Sequence, residues 1–314
     1  MLNSNKPLKI GLIGAGNQGK KHLEALFKLE KENIVKIVAI CDNNTRAAIN
    51  GVPFFVDYKK LLSSVKLDII IIATPNYLHK EITIEALNKN INIIKEKPLA
   101  LTYQDGEEIV NLAKKNNLII ATLQQRKYNP LFLKVKEEID KLCLPSSFSY
   151  TFTVDDNKNS WYWDIEAAGG GCWINMGWHA ITSLQWLIGT IDHVNLKWEI
   201  GGKRPWSYKT DHSATADIII KNKINGTVHV SCIEPKSEEI IINYENGKIL
   251  LNRKILIFKI NNIEKTYEIN FSEEELYYLQ LKSTIEKVIN KTYEMNDDLQ
   301  TLKIIINGTN NASI

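Results

Sequence analysis

The sequence is short of several things, and each shortage removes a class of protein. Its 314 residues carry 39 basic and 36 acidic side chains, a formal net charge of +3, too mild a balance to imply a polyanionic partner such as nucleic acid. Apolar runs stop well short of the ~18 residues that a membrane span needs. The opening "MLNSNKPLKIGLIG" passes into a strand pattern without the apolar core of a secretion signal, so a cytoplasmic location is expected. Four cysteines, Cys41, Cys143, Cys172 and Cys232, form no CxxC pair, so neither a disulfide framework nor a zinc site is indicated. No internal repeat or low-complexity linker interrupts the chain.

What is present is an ordinary globular composition, 44% hydrophobic and 24% charged, on a chain long enough for two cores. "LKIGLIG" (8–14), "VKIVAIC" (35–41), "LDIIIIAT" (67–74), "INIIKE" (91–96) and "LIIATLQ" (118–124) are short and apolar almost throughout. Strands read that way when helices cover both faces of a parallel sheet. Between them, "HKEITIEALNKN" and "TYQDGEEIVNLAKKNN" repeat apolar residues at three and four, with Thr102 and Asp105 placed to cap the second. Residues 1–123 are therefore expected to form a doubly wound α/β Rossmann domain.

"GLIGAGNQGKKH" places Gly14, Gly16 and Gly19 as GxGxxG directly after the first strand and opening a helix, with Asn17 and Gln18 inside the turn. The glycines permit the tight turn and the approach of a pyrophosphate, and the helix N-terminus favours its charge. The second strand ends at Asp42, roughly 20 residues further on, where a carboxylate accepts the ribose hydroxyls of NAD and repels a 2′-phosphate. NAD is the expected cofactor, although Arg46 keeps NADP open.

After residue 123 the pattern changes. Following the connecting "QQRKYNPLFLKVKEEIDKL", segments such as "SSFSYTFTV", "ATADIIIK" and "NGTVHVSCI" alternate, with "ENG" and "ING" turns. Residues 124–314 are expected to be an α+β domain with an open, mainly antiparallel sheet, one face toward helices and the other available to a second subunit. The closing "DDLQTLKIIINGT" reads as a terminal helix, free to pack back on the first domain. A homodimer or homotetramer is expected.

Two stretches carry the chemistry. "KEKP" places Lys97 just past the fifth strand, where ligands of open α/β sheets gather. If "CWINMGWHAITSLQWLIG" is a helix ending at Gly189, Asn175 and His179 share one face. All seven tryptophans lie between Trp161 and Trp206, and flat rings of this kind suit the CH faces of a sugar. Arg126, Lys127, Lys203 and Arg204 are candidates for a substrate phosphate or carboxylate, and Tyr128 stands beside the first of these pairs.

In the order "GLIGAGNQG", "ATPNYLH", "KEKPLA", "QRKYNP", "GGGCWINMGWHAI" and "TDHSATADI", the sequence resembles the Gfo/Idh/MocA family, the glucose-fructose oxidoreductase and inositol dehydrogenase group of NAD(P)-dependent dehydrogenases. The resemblance implies a hydride exchanged between the cofactor and a sugar or cyclitol carbon. It implies that Lys97 and His179 are catalytic, that Thr74, Pro75, Asn76 and His79 border the nicotinamide, and that Glu96 belongs with them. Asn175 stands where most members carry Asp, and in this it resembles the branch that oxidises the C3 hydroxyl of nucleotide-linked sugar acids. At Tyr162 many relatives have Arg, which leaves substrate anchoring open.

Such an oxidation needs a base for the carbinol proton and a positive donor beside the developing alkoxide. Either His179 or, if burial and the cationic nicotinamide lower its pKa, Lys97 fits the base. The assignment taken is His179, with an ordinary pKa near ~6.5, as base, Lys97 as donor, and Asn175 for a hydrogen bond to a neighbouring hydroxyl. The expected substrate-binding set is Lys97, Arg126, Tyr128, Trp161, Asn175 and His179, and no metal is expected. A free aldose or cyclitol is the rival substrate. An NAD-responsive regulatory protein on the same fold is the rival function, disfavoured because a sensor needs neither Lys97 nor His179.

Overall fold

The computed structural model describes residues 6–155, 164–200 and 210–310. They fall into two compact units, one of residues 1–125 with 271–300 and one of residues 126–270 with 301–314.

The first unit is built on six parallel strands: β1 (Leu8–Ile13), β2 (Val35–Cys41), β3 (Phe54–Phe55), β4 (Ile69–Ile72), β5 (Asn92–Lys95) and β6 (Ile120–Thr122). Their order is β3-β2-β1-β4-β5-β6. The direction of winding therefore reverses between β1 and β4, and a crevice opens beyond their carboxyl ends. All four residues of β4 are completely buried, which is why this strand reads as an unbroken isoleucine run. β3, only two residues long, is too short for periodicity to reveal. Helices α1 (Asn17–Lys31), α2 (Tyr58–Ser64), α3 (His79–Asn88) and α4 (Tyr103–Lys115) connect the strands. Thr102 caps α4 by accepting the N–H of Asp105 at 3.1 Å.

In the second unit, α5 (Pro130–Ile139), β7 (Ser147–Asp155), α6 (Ile165–Ala168) and α7 (Trp178–Leu187) precede seven strands. These are β8 (Ile191–Ile200), β9 (Asp211–Ile220), β10 (Ile224–Ser231), β11 (Ile233–Tyr244), β12 (Gly247–Asn252), β13 (Ile255–Ile260) and β14 (Ile263–Glu268). The sheet runs β14-β13-β12-β11-β7-β10-β9-β8, antiparallel except where β7 lies parallel to β10. Ala214, Ala216, Ile218 and Ile220 alternate inward along β9, while Thr215 and Asp217 face outward. Across the strands the outward face mixes Ser149, Asp217 and Thr227 with Ile241, Leu250 and Ile257, in register.

Two further helices follow among the described residues, α8 (Glu273–Ile289) and α9 (Met295–Asn310). Residues 271–300 belong with the first unit, so the second does not run unbroken from 124 to 314 as the sequence suggested. α8 lies along α1, with ion pairs Lys21–Glu273, Lys28–Glu274 and Lys282–Glu32. Asp298 of α9 accepts the N–H of Thr122 at 3.1 Å and the side-chain amide of Gln124 at 2.5 Å, closing the edge of the parallel sheet. From Thr301 onward the residues belong with the second unit, where the Thr301 hydroxyl donates to Gln185 and the carbonyl of Ile305 accepts the indole N–H of Trp173.

Candidate active site

The crevice of the first unit is shaped by its glycines. Gly14 has φ +90°, and a Cβ there would stand 2.5 Å from the carbonyl oxygen of Ala73, where the chain leaves β4. A Cβ on Gly19 would run into the carbonyl of Gly14, so the first turn of α1 lies directly on the loop. Gly16 is different: nothing stands within 4 Å of where its side chain would be. α1 starts there without a side-chain cap, and the N–H groups of its first turn are left to an anion. Asn17 is exposed and Gln18 partly so.

Asp42, at the end of β2, accepts the N–H of Ala15 at 2.6 Å and that of Asn44 at 2.8 Å. Its carboxylate is thereby fixed to the glycine turn, where the two ribose hydroxyls would arrive. Arg46 is exposed in the next short turn, whose start Asn44 caps. Open space, orphaned helix donors and a tethered carboxylate fit a dinucleotide without a 2′-phosphate.

The loop from Thr74 to His79 borders the same crevice. Thr74 and Pro75 are partly exposed, and Asn76 is 8% exposed. His79 is buried and its Nε2 lies 3.0 Å from the carbonyl of Thr74. Burial, with the nearby Lys95 charge, holds its pKa well below the ordinary value, so the ring braces the loop as a neutral group.

Lys97 stands two residues beyond β5 and is partly exposed. Its neighbours are tied down by groups that sequence reading overlooked. Glu96 meets His22 of α1 at 2.8 Å, and although burial raises its pKa, the hydrogen bond from His22 takes it below the ordinary carboxylate value. His22 stacks edge-on with Tyr277, whose hydroxyl donates to Gln18 at 2.5 Å. Glu96 is thus linked to the glycine turn through α1 and α8. On the other side Lys95, completely buried, donates to the carbonyls of Pro98 at 3.1 Å and Leu99 at 2.6 Å.

In the second unit the run Gly169–His179 is set by one carboxylate. Asp211, at the start of β9, accepts the N–H of Gly171 at 3.0 Å and that of Trp173 at 2.7 Å. A Cβ on Gly171 would overlap Asp211 itself, and Gly169 takes the left-handed conformation (φ +83°) that ends α6. In the structure Gly171 makes room for Asp211.

Trp173–Gly177 then form a π-helical turn that passes into α7, instead of one continuous α-helix. Such a turn holds an extra residue and recurs at functional sites. From Gly171 to Ala180 every residue is buried except two, Asn175 and His179, which are partly exposed. The backbone carbonyl of His179 accepts the Ser183 hydroxyl at 2.7 Å, and its ring meets Phe152 edge-on, centroids 6.2 Å apart.

Arg126 is turned inward. It donates to Glu238 at 2.5 Å and to the Tyr150 hydroxyl at 3.1 Å, with its guanidinium 4.5 Å from the centre of the Phe152 ring. Tyr128 and Lys127 are partly exposed in the same turn. Trp161, Tyr162, Trp163, Lys203, Arg204 and Trp206 lie outside the described residues.

A switch-point crevice with a glycine turn and a carboxylate defines a dinucleotide-binding protein with a second, sheet-based unit. The chain belongs to the GFO/IDH/MocA family: residues 8–123 match its oxidoreductase domain with the NAD-binding Rossmann fold, and residues 140–250 match its C-terminal domain. Levoglucosan dehydrogenase of Pseudarthrobacter phenanthrenivorans is 26% identical over 206 residues, 60% of this chain and 53% of that protein. Inositol 2-dehydrogenase of Salmonella paratyphi B is 29% identical over 141 residues, 42% of this chain and 41% of that one. The matches span about half the length of these relatives. A solved levoglucosan dehydrogenase in complex with NADH and levoglucosan has the same fold, with TM-score 0.89 and 20% identity over 98% of this chain and 97% of that one.

Proposed function

We propose that the protein is an NAD-dependent dehydrogenase that oxidises a secondary hydroxyl of a sugar, at C3 of a nucleotide-linked sugar or sugar acid. The observation that carries this reading is the partial exposure of Asn175 and His179 in a run that is otherwise buried. A histidine serving only the core would be covered like Trp173 and Trp178 beside it.

NAD, when bound, supplies the hydride acceptor. The residues do the rest: His179 takes the hydroxyl proton, Lys97 holds the oxygen with its ammonium, and Asn175 hydrogen-bonds a neighbouring hydroxyl. Asn175 cannot accept a proton onto its side chain as a carboxylate would, so proton transfer falls to His179 and Lys97. Gly14, Gly16, Asn17, Gln18 and Gly19 carry the pyrophosphate and Asp42 the ribose. Thr74, Pro75, Asn76 and His79, with Glu96, shape the nicotinamide end.

A free aldose or cyclitol is the second reading, favoured by the two dehydrogenases named above. The test is NADH formation with NAD and a panel of UDP-sugar acids, UDP-sugars, free aldoses and inositols, with Lys97→Met alongside. Turnover on one class, lost in the variant, supports the dehydrogenase and selects the substrate. NAD binding without turnover on any member removes it in favour of a sensor.

A further inference from the structure

The chain has only four arginines, Arg46, Arg126, Arg204 and Arg253. Two of them converge on one phenylalanine. The Arg126 guanidinium stands 4.5 Å from the centre of the Phe152 ring and that of Arg253 5.9 Å, while the His179 ring meets the same phenylalanine at 6.2 Å. Phe152 sits opposite Glu238 in the register of β7 and β11, so the carboxylate lies beside the ring on the same face of the sheet.

Glu238 does not serve both arginines equally. Arg126 takes it at 2.5 Å, whereas the nearest approach of Arg253 is 3.7 Å, beyond hydrogen-bond reach. Among the described residues, Glu238 is the one carboxylate paired with either arginine. Two guanidiniums thus share one negative charge, and the surplus is on Arg253, with 35% of its side chain in water. Its position is fixed all the same. Asn252 accepts the N–H groups of Lys254 and Ile255, both at 2.9 Å, and pins the turn between β12 and β13 from which Arg253 projects.

A guanidinium held over a ring, with its planar donors unspent, is a ready fork for carboxylate or phosphate. We propose that Arg253 recognises an anionic substituent of the substrate, with Phe152 as the apolar surface that sets this anion apart from the hydroxyl on which His179 acts. This rests on the dehydrogenase reading above. It moves substrate anchoring from Arg126, whose charge is spent on Glu238, to a residue that no sequence motif marks.

The test compares kcat/KM of the full chain with NAD for D-glucose, D-glucuronate, D-glucose 6-phosphate, UDP-glucose and UDP-glucuronate, in the wild type, Arg253→Gln and Arg253→Lys. The expected result is a preference for the charged member of at least one pair. The ratio of charged to neutral then falls at least tenfold in Arg253→Gln through KM, and recovers in part in Arg253→Lys. A fall confined to the two acids assigns the anion as carboxylate. A joint fall of both UDP-sugars relative to D-glucose assigns it as the diphosphate. A purely structural Arg253 would lower all rates together, and an unchanged ratio overturns the proposal. If no compound is oxidised, the dehydrogenase reading fails by itself. The anion site is then read from the melting temperature with NADH and each compound: stabilisation by the charged members, lost in Arg253→Gln, upholds it, and no stabilisation overturns it.

Discussion

The carboxylate of Asp211 receives the backbone N–H of Trp173 at 2.7 Å, and with it the start of the segment that presents Asn175 and His179. Burial raises the pKa of Asp211, yet three backbone N–H groups and the Thr210 hydroxyl work against that rise. The contact joins residues 38 apart in the chain.

Replacing Gly171 with Ala drives a Cβ into Asp211, and overpacking of this kind costs about 1–3 kcal/mol. Gly16→Ala meets nothing within 4 Å and should leave the melting temperature within about a degree of the wild type, while weakening NADH because the methyl fills ligand space. Thermal melts and NADH fluorescence titrations of both variants check the pair. Equal melting losses would show that the two glycines do the same job.

On the proposed reading, Asp42→Ser removes the acceptor of the ribose hydroxyls. NADH affinity should fall about tenfold, the usual worth of a lost charge-assisted hydrogen bond, and the NADH to NADPH affinity ratio should fall with it. An unchanged ratio would mean that Asp42 serves only the backbone N–H groups of Ala15 and Asn44.

His179→Ala should lower kcat by a factor of about 10² to 10⁴ and flatten the acidic limb of the pH–rate profile. The same limb in wild type and variant would assign the base to Lys97.

Burial takes the Lys95 ammonium from the ordinary lysine value down to about 7, against the opposing pull of Asp298. An unfolded lysine near ~10.4 keeps its proton up to much higher pH, so between these values the unfolded chain binds the extra proton and wild-type stability rises with pH. Below about 7 both states are protonated and the full burial cost is felt. Lys95→Met has no such cost. Its melting temperature relative to wild type should be highest near pH 6 and decline toward pH 9, whatever constant offset the lost bonds to Pro98 and Leu99 add. A difference that does not change with pH would refute this.

The parallel sheet was legible because Ile69–Ile72 and its neighbours are buried on both faces, a property the residue types themselves display. The glycine turn and Asp42 were legible because their spacing is local. His22, Lys95, Tyr277 and Arg253 were not, because their meaning lies in partners. His22 and Glu96 are 74 residues apart, and Tyr277 and Gln18 are 259 apart. The amphipathic pattern of Glu273–Ile289 went unread for a simpler reason: flanked by strands on one side, it carries no motif. The π-turn at Trp173–Gly177 was invisible to a count by three and four, since its backbone departs from that period. Arg126 was legible as a basic residue, but its pairing with Glu238 depends on β11, more than a hundred residues later.

The return of residues 271–300 to the first unit has a consequence during synthesis. The strands β1 to β6 leave the ribosome early, yet Asp298 and α8, which close that sheet's edge and cover α1, are translated after the entire eight-stranded sheet. At about 5–20 residues per second the nascent first unit waits some ten seconds or more with apolar surface bare. Inside the second unit, β7 likewise waits for both of its neighbours, β10 and β11. Native closure of both units therefore comes late, and a chain stalled before Phe271 is a natural client for a chaperone that binds exposed apolar strands.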